Sequence, residues 1–201
     1  VTVADQARAL KGLLDGLGIA RAQAVVGFSL GGMVALQFAA LFPESLAAVA
    51  TVAGPATLEA APRAALEEVS GSLLRDPELR PGDGRGSRRA LVRARMAALR
   101  ALHPRAWLDE DGNAFATEWR LEREADAFAG HFDAYGYMAL LGCMTRARLS
   151  PALAWVETRS LVVAASTDEL ATPESMRDTW STLCNAGSPS RYFEQIGRAH
   201  V

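Results

Sequence analysis

Val25-Val26-Gly27-Phe28-Ser29-Leu30-Gly31-Gly32 is the stretch on which the reading of this chain turns. Ala22 to Val26 has the composition of a short buried strand. Met33 to Leu41 is a strong helix former free of Gly and Pro, and Pro43 stops it. Between them lies a sharp turn that carries Ser29. Gly27 and Gly31, two before and two after the serine, are expected because a Cβ at either place would clash in so tight a turn. Such a turn lifts the Ser29 hydroxyl to the top of a sheet. It also aims the N–H of Leu30 at the place where an oxyanion would form.

The flanking sequence supplies the rest of a sheet. Thr2 and Asp5 have the spacing of a capping box, and Ala7, Leu10, Leu13, Leu14 and Leu17 follow at helical spacing until Gly16 and Gly18 end the helix. Its apolar face is expected to cover one side of a parallel sheet. Leu46 to Val52 is a continuous apolar run, as expected of a strand buried on both faces. Strand, helix, strand in this order makes a right-handed βαβ unit. In this setting Gly-x-Ser-x-Gly resembles the nucleophile elbow of α/β-hydrolases.

From Gly54 to about Ser150 the pattern turns helical, with candidate helices at Arg63–Leu74, Ser87–Leu102, Ala114–Ala129 and Phe132–Thr145 and a loop at Pro81–Gly86. A strand-free block between sheet strands reads as a helical cap over the site. Arg80, Arg85, Arg88, Arg89, Arg93, Arg95, Arg100 and Arg105 cluster there. A solvated helix face accounts for most of them, with one left for an anionic substrate. Sheet pattern resumes at Ser160–Ala165. Asp168 follows at the C-terminal end of that strand, where the acid of a Ser…Asp…His series belongs; Glu169 is the weaker alternative. Glu174–Leu183 reads as a helix and Ser190–Gln195 as the start of a last strand.

The expected fold class is therefore α/β: an α/β-hydrolase-type parallel sheet with an inserted helical cap, its N-terminal strands and final helix missing. Residues 1–53 form the core with the elbow, 54–150 the cap, and 151–195 the C-terminal part of the core. Residues 196–201, Ile-Gly-Arg-Ala-His-Val, translate the start of a common sequencing-library adapter and are set apart as a read-through tail. A serine nucleophile needs a base, expected beyond the strand that begins near Ser190. His200 falls close to that place, but inside the suspect tail. His103 and His131 precede the acid and are in the wrong order. The chain as given is expected to lack a complete triad, to be inactive, and to aggregate through an exposed sheet edge.

Composition narrows the setting. The chain has 201 residues, half of them hydrophobic, a net charge of −2 and a pI near 6.0, which fits one globular domain and carries no nucleic-acid footprint. No run approaches the ~18 apolar residues that span a membrane. Cys143 and Cys184 are too few for a disulfide framework, which points to a reducing cytoplasm. Lys11 is the only lysine, a bias in keeping with GC-rich DNA.

Several segments together resemble the homoserine O-acyltransferase family. Leu17-Gly18-Ile19 precedes the elbow strand as in that family, and Gly27-Phe28-Ser29-Leu30-Gly31-Gly32-Met33 is similar to its Gly-x-Ser-Met-Gly-Gly-Met. Ala94-Arg95-Met96 matches its Ala-Arg-Met, and Phe132-Asp133-Ala134-Tyr135-Gly136-Tyr137-Met138 resembles its Phe-Asp-Ala-Asn-Ser-Tyr-Leu, with Thr145-Arg146 as a displaced echo. Asp168-Glu169-Leu170 matches the Asp-x-Leu around its triad acid. The chain departs from the pattern at Leu30, Phe28 and Tyr135-Gly136, and the closing Gly-His-Asp is absent. The resemblance implies that Ser29 takes an acyl group from acetyl-CoA (or succinyl-CoA) and passes it to homoserine in methionine biosynthesis. It implies Leu30 at the oxyanion hole, Asp168 as triad acid and Arg95 on the substrate carboxylate. It calls for no metal and no bound cofactor, and leaves open a homodimer through the cap helices. An esterase, or another serine hydrolase, shares the same elbow.

Overall fold

The computed structural model describes residues 1–79, 87–102 and 105–195. Along the chain the elements run α1 (Val3–Gly16), β1 (Val25–Phe28), α2 (Leu30–Leu41), a 3-10 turn (Pro43–Ser45), β2 (Ala48–Val52), α3 (Ala60–Leu74), α4 (Arg88–Leu102), α5 (Arg105–Leu108), α6 (Ala114–Ala129), α7 (Ala134–Arg146), α8 (Ser150–Leu153), β3 (Arg159–Ala165), α9 (Pro173–Asn185) and β4 (Ser190–Gln195). They form two compact units. One holds Val1–Glu59 with the described residues from Arg146 onward, and the other holds Ala60–Thr145. No helix among the described residues is long and apolar enough to cross a membrane.

The first unit is a parallel sheet in the order β1-β2-β3-β4, each strand hydrogen-bonded to the next. Because all four run the same way, the loops leaving Phe28, Val52 and Ala165 emerge along one edge. The ladder of β1 starts at Val25, later than its apolar run suggests, and Ala22 makes only an isolated bridge to Leu46. Helix α2 is apolar almost all round and lies on β1 and β2, burying Met33, Leu36 and Phe38 completely. Helix α9 packs on β3 and β4, and α8 packs against α2 and α9.

Two expectations need correction. Helix α1 forms with its capping box intact: Thr2 N–H donates to Asp5 Oδ2 at 2.9 Å and Asp5 N–H to Thr2 Oγ1 at 3.1 Å. It packs on α2, however, and not on the sheet. The ground beside β1 and β2 is already taken by α2, so α1 forms an outer layer and leaves Leu13 57 % and Leu17 63 % exposed. Strand β2 is likewise not buried on both faces. Val49 and Thr51 are buried, sharing a face with Ser160 and Val162 of β3, while Ala48, Ala50 and Val52 are only half-buried. On that second face Phe28, Val52, Val163 and Phe193 stand in register across all four strands, with Phe28 51 % and Phe193 54 % exposed. Val26 and Leu161 are exposed on the same face.

The second unit is helical. Helix α3 packs on α4 and α4 on α6, with Leu99, Trp107 and Leu121 clustered in its core. Asn113 caps α6 by accepting the Ala116 N–H at 2.8 Å. The arginines expected on a solvated face are mostly paired with acids: Arg88 with Asp126, Arg89 with Glu78, Arg93 with Asp76 and Arg100 with Glu118. Hydrogen bonding to Asp76 pushes Arg93 further up. Pro81–Gly86, Arg80 and His103 lie outside the described residues, as does the side chain of Arg105.

Candidate active site

Ser29 joins the end of β1 to the start of α2 with φ 52° and ψ −122°, a left-handed backbone that L-residues rarely adopt. A non-glycine residue held there stores roughly 1–3 kcal/mol that its surroundings must supply. The supply is visible. The Ser29 N–H donates to the carbonyl of Val52 at 2.8 Å, and the Ser29 carbonyl accepts from Gly32 and Met33 at 2.9 and 3.2 Å. Leu30 is the first helical residue, so its N–H belongs to the set at a helix start that has no partner within the helix.

The glycines do not act as the sequence suggested. A Cβ at Gly27 would overlap the carbonyl of Gly31, so the residue before the turn must be bare. At Gly31 a Cβ would meet nothing within 4 Å; the tight place is Gly32, where it would overlap the Thr51 hydroxyl. The helix must come this close to β2, and the crowded side of its first turn faces the sheet at position 32. The adjacent pair Gly31-Gly32 was the available signal.

Asp168 follows β3, two strands from β1 along the same edge of the sheet. It is buried, and its Oδ1 accepts the N–H groups of Leu170 and Ala171 at 2.9 and 2.8 Å, while its own N–H donates to Ala165 at 3.2 Å. These bonds fix the rotamer of the carboxylate. Glu169 beside it is exposed. Thr172, the N-cap of α9, donates to Glu59 at 2.7 Å and ties the Asp168 loop to the segment beyond β2. His200 lies outside the described residues. His131 is exposed, and its Nδ1 lies 3.0 Å from the carbonyl of Ala127 in the last turn of α6.

Arg95 lies in the helical unit, where two of the quoted motifs meet. Its guanidinium stands over the ring of Phe128 at 4.8 Å, and Tyr137 meets the same ring edge-on at 5.1 Å. Phe132 stacks on Phe128 at 4.5 Å, and Asp133 anchors the start of α7 by accepting the Gly136 N–H at 2.7 Å. Burial pushes the Tyr137 phenol up, against the charge and hydrogen bond of Arg95. Arg95 reaches Glu124 at 3.4 Å, and its buried Nε has no hydrogen-bond partner among the described residues. An orphaned donor of this kind costs about 1–3 kcal/mol and attracts an acceptor. Phe128, Tyr137 and Glu124 were not singled out as partners of Arg95 because helix packing, and no local pattern, brings them there. Among the described residues no cluster of His, Cys, Asp and Glu could hold a metal ion.

Comparison with known proteins agrees with this scaffold. A family model for the alpha/beta hydrolase fold matches residues 1–200. Homoserine O-acetyltransferase from Leifsonia xyli subsp. xyli (strain CTCB07) is 34 % identical over 196 residues, covering 84 % of this chain and 49 % of that protein. Homoserine O-succinyltransferase from Laribacter hongkongensis (strain HLHK9) is 31 % identical over 225 residues, covering 96 % and 58 %. The crystal structure of esterase E22 superposes with a TM-score of 0.86 at 24 % identity over 98 % of this chain and 61 % of that one, a likeness of fold. The chain spans about half the length of the curated relatives it matches.

Proposed function

The chain belongs to the α/β-hydrolase fold family, and on that premise we propose that it is the serine-bearing part of an acyltransferase that moves an acyl group from an acyl-CoA to the hydroxyl of homoserine. The observation that carries this reading is the extent of the match. Sequence identity of 34 % runs over 84 % of the chain, a share too large to leave out the helical unit. Esterase E22 shares the fold over 98 % of the chain, but at 24 % identity.

In this reading Ser29 Oγ attacks the thioester carbonyl, its proton passes to a base, and the CoA thiol leaves with that proton. The tetrahedral oxyanion is met by the Leu30 N–H at the helix start. The homoserine hydroxyl then attacks the acyl-Ser29 ester and restores the serine. Asp168, locked by two backbone N–H groups, orients the base, whose place in chain order is beyond β4. Arg95 takes the homoserine carboxylate through its planar fork. The acyl-enzyme must also be kept from water. Acyl-CoA enters as a co-substrate, without a bound cofactor, in a cytoplasmic setting. Phe115 and Trp119, exposed one turn apart on α6, are the surface this reading offers for a homodimer.

Acetyl is the preferred donor, and the succinyltransferase relative supports a succinyl donor as the second reading. The test is CoA release by the protein expressed from its complete gene, with acetyl-CoA or succinyl-CoA, with and without homoserine. Release that depends on homoserine is expected. Release at the same rate without it would place the protein among hydrolases.

A further inference from the structure

We propose that Thr51 is the positioning residue for Ser29, setting the serine's left-handed backbone from the neighbouring strand. The inference rests on Ser29 as the nucleophile and goes beyond it.

Strand β2 ends beside the elbow in an exit as unusual as the elbow itself. Ala53, the residue after β2, also has positive φ, at 49°, and is buried. Its N–H donates to Val163 of β3 at 2.9 Å, while the Val52 carbonyl takes the N–H of Ser29 at 2.8 Å. The turn that follows is closed by a side chain. Thr51, wholly buried, donates its hydroxyl to the Gly54 carbonyl at 2.6 Å.

This bond fixes Gly54 against the serine. A Cβ built on Gly54 would lie 2.5 Å from the Ser29 carbonyl oxygen and 2.8 Å from the Gly32 Cα. The same Thr51 hydroxyl borders Gly32 on the side that faces Gly54, since a Cβ there would overlap it and lie 3.1 Å from the Gly54 Cα. Thr51 Oγ1, the two bare Cα atoms and the Ser29 carbonyl thus close one packed knot. Four bonds enter it: Thr51 to Gly54, Ser29 to Val52, and both Gly32 and Met33 to Ser29. The Ser29 carbonyl lies so close to Gly54 that no Cβ fits between them. Valine has the shape of threonine and suits a strand at least as well, but it has no hydroxyl with which to hold Gly54. The hydroxyl is the part of the side chain that the elbow uses.

The experiment compares Thr51→Val and Thr51→Ser with the parent protein expressed from its complete gene. The readout is the second-order rate at which a fluorophosphonate labels Ser29. In that step the serine Oγ–P bond forms, the P–F bond breaks, and fluoride leaves as the serine proton passes to the base. Thr51→Val is expected to slow labelling on the order of 10- to 100-fold, the effect of displacing a reacting group by a fraction of its productive geometry. Thr51→Ser restores the rate although it deletes a buried methyl. Thr51→Val also lowers kcat with KM unchanged, and Thr51→Ser does not. Labelling of a folded Thr51→Val at the parent rate overturns the proposal. If Thr51→Val does not melt cooperatively, Thr51→Ala and Thr51→Ser decide it below both of their melting temperatures, and equal rates overturn it. A Ser29→Ala control separates the two levels. Labelling that survives it refutes Ser29 as nucleophile, whereas loss of labelling there with a parent rate in Thr51→Val refutes only the role of Thr51.

Discussion

The elbow of the sheet unit and the Arg95 cluster of the helical unit are built in opposite ways. Around Ser29 the constraints are backbone hydrogen bonds of 2.8 and 2.9 Å and places where no Cβ fits. Around Arg95 they are longer and softer: a ring at 4.8 Å and a carboxylate at 3.4 Å. The first arrangement is defined by excluded volume at Gly27, Gly32 and Gly54. The second is defined by charge and aromatic surface supplied by flexible side chains. A nucleophile must be placed to a fraction of an ångström, whereas a receptor for a carboxylate must mainly be present, charged and reachable.

This contrast can be broken or sharpened by substitution. Ser29→Ala is expected to cost most, on the order of 10⁶ in kcat, as for other serine nucleophiles that act with a base. A residual rate within tenfold of the parent would remove the serine from the mechanism. Asp168→Asn follows, with a loss near ~10⁴ in kcat at preserved fold, because an amide cannot hold the base in the same tautomer. Circular dichroism should show an unchanged protein, and an unchanged kcat would move the acid elsewhere, Glu169 included. Arg95→Ala should raise the homoserine KM by roughly 10- to 100-fold, the value of a charged hydrogen bond, and leave the acyl-CoA KM alone. Arg95→Lys should recover part of this, and a homoserine KM that does not respond to either change refutes the assignment. The smallest effect separates two neighbouring glycines. Gly32→Ala should lower stability by about 1–3 kcal/mol through overpacking against Thr51, while Gly31→Ala should leave the melting temperature nearly unchanged. Equal shifts in the two variants would mean that the helix gives way where the packing says it cannot.

The same contrast explains what could be read from the sequence. Volume exclusion leaves a trace in residue identity, so Gly27 before Ser29 and Gly32 after it mark the turn from which the helix starts. Local hydrogen bonding leaves one too, and Thr2 and Asp5 form both bonds of the box that their spacing announced. Long helices were placed well: α6 spans Ala114–Ala129 as its periodicity indicates. What could not be read depends on contacts between distant segments. Which of Gly31 and Gly32 is indispensable follows from where Thr51 comes to rest, and that is settled by the pairing of β2 with β1. The aromatic platform under Arg95 comes from α6 and α7, and no spacing within α4 points to it. The burial of Asp168 beside an exposed Glu169 likewise arises from the loop folding back on its own N–H groups.

The open face of the sheet has a thermodynamic consequence. Val26, Phe28, Leu161 and Phe193 are already partly hydrated while the protein is folded, so each contributes only part of its surface to what is newly wetted on unfolding. Heat capacity and denaturant sensitivity scale with that newly wetted surface. These four side chains therefore add less to the heat-capacity increment and the denaturant slope of unfolding than their size suggests.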